Sequence, residues 1–263
     1  MIAGVEGSAL QIRENVPLGP LTTLGIGGPA RFLVEGCDEP AVLAALQFAE
    51  EQGLPLFVLG GGSNILVADE GFPGLVLRMA VRGISETASE DKVILTAGAG
   101  EDWDWFVCRA VERGLGGVEC LSGIPGTVGA TPIQNVGAYG QEVSQVIVSV
   151  RAWDRARRRA VDLDNAACAF SYRQSVFNTT ARDRYVVLSL TCALQRDAAP
   201  AIKYADLERH FAGSSRKPTL MEVREAVRAI RLRKAMLLVA GDPDCRSAGS
   251  FFKNPVVSEE QYA

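Results

Sequence analysis

The sequence predicts a mixed α/β scaffold that projects glycine-lined loops. Three observations carry this. Segments with a helical apolar period alternate with short β-rich apolar runs. Three glycine clusters interrupt them at 25–30, 59–64 and 123–142. Apolar residues make up 48% of the 263-residue chain, enough to bury a full core in one large domain or two smaller ones.

The elements follow in order. "RFLVEG" at 31–36 reads as a strand, and "PAVLAALQFAEEQG" at 40–53 as a helix that Gly53 ends. "LPLFVLG" is a buried strand, and "ILVADEGFPGLVLRM" reads as two short strands around a turn. "KVILTAGAG" is a further strand. In "WDWFVCRAVERG", Trp103, Phe106, Val107, Ala110 and Val111 form one apolar helix face. "QVIVSVRAW" and "RYVVLSLTCAL" are strands of one sheet. From residue 197 the chain turns polar and broken, which marks a boundary, and "LERHFAG" has the look of a short helix end. Thr219 and Glu222 then make a capping box for a helix over 220–234 with the apolar face Leu220, Val223, Val227 and Ile230. Arg224, Arg228 and Arg231 share another face, either solvated or in contact with an anion.

Composition excludes several classes. A net charge of -4 argues against a dedicated nucleic-acid surface. No apolar run reaches the length of a membrane span, and "MIAGVEGSAL" has no signal-peptide pattern, so a soluble cytoplasmic protein is expected. Cys37, Cys108, Cys120, Cys168, Cys192 and Cys245 form no C-x-x-C pair and read as buried free thiols. The single histidine, His210, cannot build a multi-histidine metal site, and no metal is expected.

The glycine clusters point to a ligand. "GIGGPA" (25–30) is followed by a strand, not by the helix that a dinucleotide fingerprint requires. "LGGGSN" (59–64) lacks the Lys-Ser/Thr end of a P-loop. What remains at Gly60, Gly61, Gly62, Ser63 and Asn64 is a nest of main-chain N–H groups, or a tight turn. "GIPGTVGATPIQNVGAYGQE" (123–142) is a long loop of small residues whose backbone a ligand could approach closely. Its Thr127, Thr131, Gln134 and Asn135 offer hydrogen bonds to a flat heterocycle or a ribityl chain. Such loops suit a nucleotide-type cofactor spread between two subdomains.

Seven stretches together resemble the UDP-N-acetylenolpyruvoylglucosamine reductase (MurB) family: "TLGIGGPA" (23–30), "LGGGSNILV" (59–67), "GAGEDW" (98–103), residues 123–142, "FSYRQSVF" (170–177), "KYADL" (203–207) and "AGSFFKNPVVS" (248–258). The resemblance implies an α+β fold of the vanillyl-alcohol-oxidase/PCMH type. Two FAD-binding subdomains, 1–80 and 81–197, would be followed by the start of a substrate-binding domain at 198–263. It implies FAD as cofactor and NADPH as co-substrate. The reaction would be reduction of UDP-N-acetylglucosamine enolpyruvate to UDP-N-acetylmuramate in peptidoglycan synthesis, by a cytoplasmic monomer. Cofactor contacts would come from Gly60 to Asn64 and from Gly126, Thr127, Gly129, Ala130, Gln134, Asn135 and Gly137.

The resemblance makes Ser250 the proton donor and Arg173 the partner of the substrate carboxylate. Tyr172, Tyr204, Lys234 and Asn254 would contact substrate. Lys253 would ease charge on the Ser250 oxygen, and Phe251 and Phe252 would exclude water. The family's glutamate lies downstream of the serine motif, beyond Ala263, and Glu259 and Glu260 stand too close to replace it. About 65 residues of a third domain would struggle to bury a core alone. Two other readings therefore stand beside the reductase: a flavin-binding fragment without full catalysis, and an oxidase of the same fold. Such oxidases often tether FAD through histidine, and His210 lies outside the glycine-rich loops.

Overall fold

The computed structural model describes residues 10–89, 91–250, 252–255 and 257–262. Its first sheet is built from β1 (Arg13–Pro17), β2 (Pro29–Gly36), β3 (Leu56–Leu59) and β4 (Phe72–Met79), in the order β1-β2-β4-β3. β1 runs antiparallel to β2, whereas β2 and β3 both run parallel to β4. α1 (Glu39–Glu51) connects β2 to β3, and the Asp38 carboxylate opens it by accepting from the Ala41 N–H at 2.8 Å. Val42, Ala45 and Ala49 bury its inner face against Leu75 and Leu77 of β4. The central strand β4 is buried on both faces, which is why it reads as a continuous apolar run.

The expected strand at 65–68 is absent. Parallel neighbours need a long crossover, and residues 60–71 supply the one from β3 to β4. Ile65 and Val67 still turn inward, onto a cluster with Leu18, Leu33 and Leu59, while Leu66 is 71% exposed. The apolar alternation was thus a matter of burial, without a ladder to join.

The second sheet holds β5 (Ile84–Ala88), β6 (Lys92–Gly98), β10 (Ile147–Asp154), β11 (Arg159–Asp164) and β12 (Tyr185–Arg196), in the antiparallel order β11-β10-β12-β6-β5. The short β7 (Leu115–Gly116) also pairs with β12, and β8 (Gly137–Ala138) pairs with β9 (Gln141–Glu142) as a small separate hairpin. α2 (Trp103–Glu112) packs on this sheet through the face read from the sequence: Trp103, Phe106, Val107, Ala110 and Val111 are all buried. The Trp103 indole N–H donates to the Leu121 carbonyl at 3.0 Å, so its one polar group costs the core nothing. Besides the two-residue β7, β8 and β9, three strands escaped the sequence reading, namely β1, β5 and β11. All three are sheet edges. β1 is mostly exposed and β11 has no buried residue, as is common for edges that must resist further pairing.

Beyond the second sheet come α3 (Ala205–Phe211), α4 (Leu220–Arg233) and a short α5 (Glu259–Tyr262). The capping box of α4 forms as expected: Thr219 Oγ1 accepts from the Glu222 N–H at 3.2 Å, and Glu222 Oε2 accepts from the Thr219 N–H at 2.7 Å. Leu220, Val223, Val227 and Ile230 are buried, the last three in a cluster with Cys120, Tyr139 and Leu207. The arginine face is not a solvated one. Arg224 and Arg231 are each only 7% exposed, because this face docks on α2 and the start of the 123–142 loop. The thiol expectation holds for Cys120, Cys168, Cys192 and Cys245, but Cys108 is half-buried and Cys37 exposed. Burial pushes Cys192 up to about 12. Cys120 and Cys168 rise to the same value through burial, with Glu119 and Asp164 respectively adding to it, so these thiols are inert at neutral pH. Among the described residues no helix is long and apolar enough to cross a membrane.

Candidate functional site

The glycine clusters at 59–64 and 123–130 meet. The first follows β3 directly, and the second lies against the end of β6 and the start of α2. Ser63 Oγ donates to the Pro125 carbonyl at 3.1 Å, tying one loop to the other across 62 residues. A Cβ on Gly61 would lie 2.7 Å from Gly126 Cα, and one on Gly60 would lie 2.7 Å from Thr127 Oγ1. Gly62 has φ +65°, and a Cβ there would overlap the Leu21 carbonyl oxygen. Only glycine permits this approach. Trp103 N–H to the Gly126 carbonyl (3.1 Å), Val128 N–H to Glu101 (2.8 Å) and Gly129 N–H to Ala99 (2.9 Å) fix the second loop to the sheet behind it.

The main-chain N–H groups of Gly61, Gly62, Ser63 and Asn64 donate to nothing among the described residues. Four successive unused donors in a glycine turn form a concavity suited to phosphate oxygens. Beside it lies a cleft of about 340 Å³ lined by Gly61, Gly126, Thr127, Arg82, Asp102 and Arg228. Small residues, free N–H groups and two guanidiniums fit a dinucleotide cofactor whose diphosphate needs donors and whose rings need close backbone.

The other cofactor candidates divide. Gly129 is buried against Ala99, Ala130 is exposed, Gln134 is half-buried, and Gly137 sits in β8. Asn135 is buried with φ +45°. Its amide donates to Glu142 Oε2 (2.9 Å) and the Ser171 carbonyl (3.0 Å), and its oxygen accepts from the Ser144 N–H (3.1 Å). That side chain is spent on holding the loop to its neighbours, so any cofactor contact at 135 falls to the main chain. Thr131 Oγ1 donates to the Val128 carbonyl at 2.8 Å and serves the loop in the same way.

The substrate-side candidates are spread out. Arg173 has φ +57° and lies 5.9 Å from the ring of Tyr172, which is 45% exposed. The Arg173 guanidinium enters no ion pair among the described residues. Tyr204, at the start of α3, stacks edge-on against Tyr139 at 5.4 Å. Lys234, at the end of α4, donates to Asp206 Oδ2 at 2.6 Å, a bond that raises the lysine above its ordinary value and lowers the aspartate. Ser250 and Asn254 are exposed in a segment without regular structure, and Ser250 makes no hydrogen bond among the described residues. Phe252 is 85% exposed, and Phe251 lies outside the described residues. Lys253 is exposed too. His210 contacts the ring of Phe211 at 4.8 Å, on a helix remote in sequence from the glycine loops.

Sequence reasoning missed Asp104. It accepts from the Gly123 N–H at 2.6 Å and from Arg224 at 2.5 and 3.0 Å, and Arg228 joins it. Burial pushes its carboxyl up, but the Arg224 hydrogen bond, the Gly123 N–H and the charges of Arg224 and Arg228 outweigh this and hold it below its usual range. The signal available was the acidic residue in the first turn of a helix, which is usually a surface feature. Also missed was Glu119, which is 1% exposed and accepts from Gly117 N–H (2.8 Å), Gln141 (2.9 Å) and Ala201 N–H (3.0 Å), bracing the back of the loop.

Known proteins resemble this chain in sequence and in fold. A family model described as an FAD binding domain matches residues 30–163. The UDP-N-acetylenolpyruvoylglucosamine reductase of Thermobifida fusca is 48% identical over 253 residues, covering 95% of this chain and 70% of its own. That of Streptomyces coelicolor is 46% identical over 259 residues, covering 97% of this chain and 66% of its own. The chain therefore spans roughly two thirds of the length of such relatives. The crystal structure of MurB from Thermus caldophilus matches with a TM-score of 0.65 at 28% identity, over 94% of this chain and 76% of that one. A solvent-stable cholesterol oxidase shares the fold at a TM-score of 0.54 and 16% identity, over 70% of this chain and 37% of that one. The expected α+β FAD-binding fold of the vanillyl-alcohol-oxidase/PCMH type is thus borne out. Relatives nearly half identical along almost the whole chain decide the assignment: the chain belongs to the UDP-N-acetylenolpyruvoylglucosamine reductase family, whose members are FAD-dependent oxidoreductases.

Proposed function

We propose that this chain forms the FAD-binding part, and the beginning of the substrate part, of a monomeric, cytoplasmic NADPH-dependent reductase. Its substrate is UDP-N-acetylglucosamine enolpyruvate and its product UDP-N-acetylmuramate. The observation that carries the reading is the meeting of the two glycine loops, with four unused N–H donors beside a cleft that holds two arginines. In this reading residues 1–80 and 81–197 are the two cofactor subdomains, and 198–263 begins the substrate domain. Gly61 to Asn64 would hold the diphosphate, and Gly126, Thr127, Gly129, Ala130, Gln134 and Gly137 would contribute the remaining cofactor contacts.

The chemistry a bound FAD would supply, after reduction by NADPH, is a hydride for the methylene carbon of the enolpyruvyl ether. The residues of the chain complete the addition. Arg173 pairs with the substrate carboxylate through its guanidinium fork and holds the negative charge that develops next to it. Ser250 gives its hydroxyl proton to the carbon bearing that carboxylate, so hydride and proton together saturate the double bond. Tyr172, Tyr204, Lys234 and Asn254 hold the uridine diphosphate sugar, the lysine by exchanging Asp206 for a phosphate.

The test follows flavin absorbance without oxygen. The purified chain should be yellow, bleach with NADPH and recolour on adding UDP-N-acetylglucosamine enolpyruvate. A colourless protein that binds no added FAD would sink the reading. A yellow protein that bleaches without recolouring would limit this chain to the flavin-binding half.

A further inference from the structure

Two residues outside the glycine clusters, Asp104 and Arg231, tie the start of the 123–142 loop to the helix that carries the substrate-side lysine. Gly123 begins the loop, with φ +70°. Its N–H donates to Asp104 Oδ1 at 2.6 Å, and its carbonyl accepts from Arg231 Nε at 3.0 Å. Arg231 also donates to the Met236 carbonyl at 2.7 Å, just past the end of α4. Asp104 sits in the first turn of α2, while its partners Arg224 and Arg228 stand one turn apart on α4, with Arg231 next along. Gly123 is thus held through its N–H by α2 and through its carbonyl by α4. The far end of α4 is Lys234, bound to Asp206 of α3, two residues after Tyr204.

A half-buried carboxylate between guanidiniums is not by itself stabilising, since the desolvation of the charges offsets much of their attraction. It does have direction. Asp104 is satisfied only when α4 is docked and Gly123 is in place, so the two events share one group. Arg228 makes a single bond to Asp104 and lines the cleft beside Gly61 and Gly126, so the same cluster faces the ligand.

We propose that Asp104 is a positioning residue that links docking of α4 to the shape of the 123–130 loop, so that flavin binding and α4 docking strengthen one another. This rests on the flavin reading given above. By linkage the coupling is reciprocal: FAD should tighten α4, and a loosened α4 should weaken FAD.

The test uses the whole chain and compares the wild type with Asp104→Asn, Asp104→Glu and Arg228→Gln. FAD affinity is measured by titration, and hydrogen exchange is followed across 220–233 with and without FAD. In the wild type, FAD should slow exchange in α4. Asp104→Asn should lose that protection and bind FAD roughly tenfold more weakly, as when the binding-competent loop falls to about a tenth of the population. Asp104→Glu should restore part of both effects. Arg228→Gln removes a partly exposed partner, should give an intermediate result, and carries the test if Asp104→Asn does not fold. Unchanged FAD affinity together with unchanged protection in the variants would overturn the linkage alone. A wild type that binds no FAD would overturn the flavin reading and the linkage with it.

Discussion

Two stretches of this molecule share a vocabulary and differ in what they do with it. "GGGSN" at 60–64 and "AGSFFKN" at 248–254 both set glycine beside serine and end in asparagine. The first closes on a partner loop, with Ser63 bonded to Pro125 and Gly61 against Gly126. In the second, Ala248, Ser250, Lys253 and Asn254 are exposed, and Ser250 bonds to nothing among the described residues. A glycine motif becomes a site when another segment of the same fold arrives opposite it. The cofactor side of this protein meets that condition through its own two sheets. The serine stretch does not meet it within the described residues, and the chemistry proposed for Ser250 would depend on what it faces when substrate is bound.

The sharpest way to break the comparison is to fill the first site. In Gly62→Ala, a methyl group meets the Leu21 carbonyl oxygen at a left-handed φ. Overpacking costs about 1–3 kcal/mol and the left-handed backbone about 1–2 kcal/mol more. The expected result is a large drop in melting temperature and loss of bound flavin, read by calorimetry and by absorbance. The opposite substitution, Ser250→Ala, should leave folding, FAD binding and reduction by NADPH intact. It should slow reoxidation by substrate by about 10²–10⁴-fold, the usual worth of a positioned proton donor. Stopped-flow absorbance separates the two half-reactions. If Ser250→Ala also loses flavin, the two stretches are not independent and the comparison fails.

Arg173→Ala sharpens it further. Loss of the carboxylate's partner should slow the same half-reaction by about 10²-fold, with flavin reduction unaffected. Arg173→Lys should recover little of this, because an ammonium cannot present the planar fork.

The same contrast explains what the sequence made legible. Helix faces were readable because burial writes a period: all five residues assigned to the α2 face are buried. The β3 and β4 strands were readable as apolar runs, β3 even though it is an edge of its sheet, but β1, β5 and β11 were not, since their polar residues write no such run. At 65–68 the inward Ile65 and Val67 imitated a strand inside a crossover loop. For the site, glycine clusters marked the loops, yet nothing in one dimension says that Gly61 will touch Gly126. Asp104 was hidden for the same reason: its partners lie about 120 residues downstream, and a carboxylate in a first helical turn ordinarily faces solvent. Asn135 shows the converse, a polar side chain in a glycine-rich loop whose hydrogen bonds go to the protein itself.

A pH experiment separates folding from either site. Asp154 is fully buried at the end of β10, held by Arg184 at 2.6 and 3.0 Å and by the N–H groups of Ala156 and Arg157. The Arg184 hydrogen bonds, opposed by burial and helped by those N–H groups, bring its carboxyl down to about 2. An unfolded aspartate titrates near 3.9. A lowered folded value means that this stabilisation is complete above the unfolded pKa and is lost as pH falls from about 4 towards about 2. The urea midpoint of the wild type should fall through that window more steeply than that of Asp154→Asn. Flavin affinity at neutral pH should be the same in both if the site and this corner are independent.

The smallest expected effect belongs to Lys253. It stands three residues after Ser250 and is exposed to solvent. A positive charge there would favour an oxygen that is losing its proton, but water screens exposed charges and holds such contributions to at most about 1 kcal/mol. Lys253→Ala should therefore slow reoxidation by substrate only a few-fold, leave flavin reduction unchanged, and show its effect most clearly at low salt, where screening is weakest. A loss as large as that of Ser250→Ala would mean that Lys253 is enclosed beside the serine in the complex. The exposed segment would then be the resting form of a site that closes around substrate.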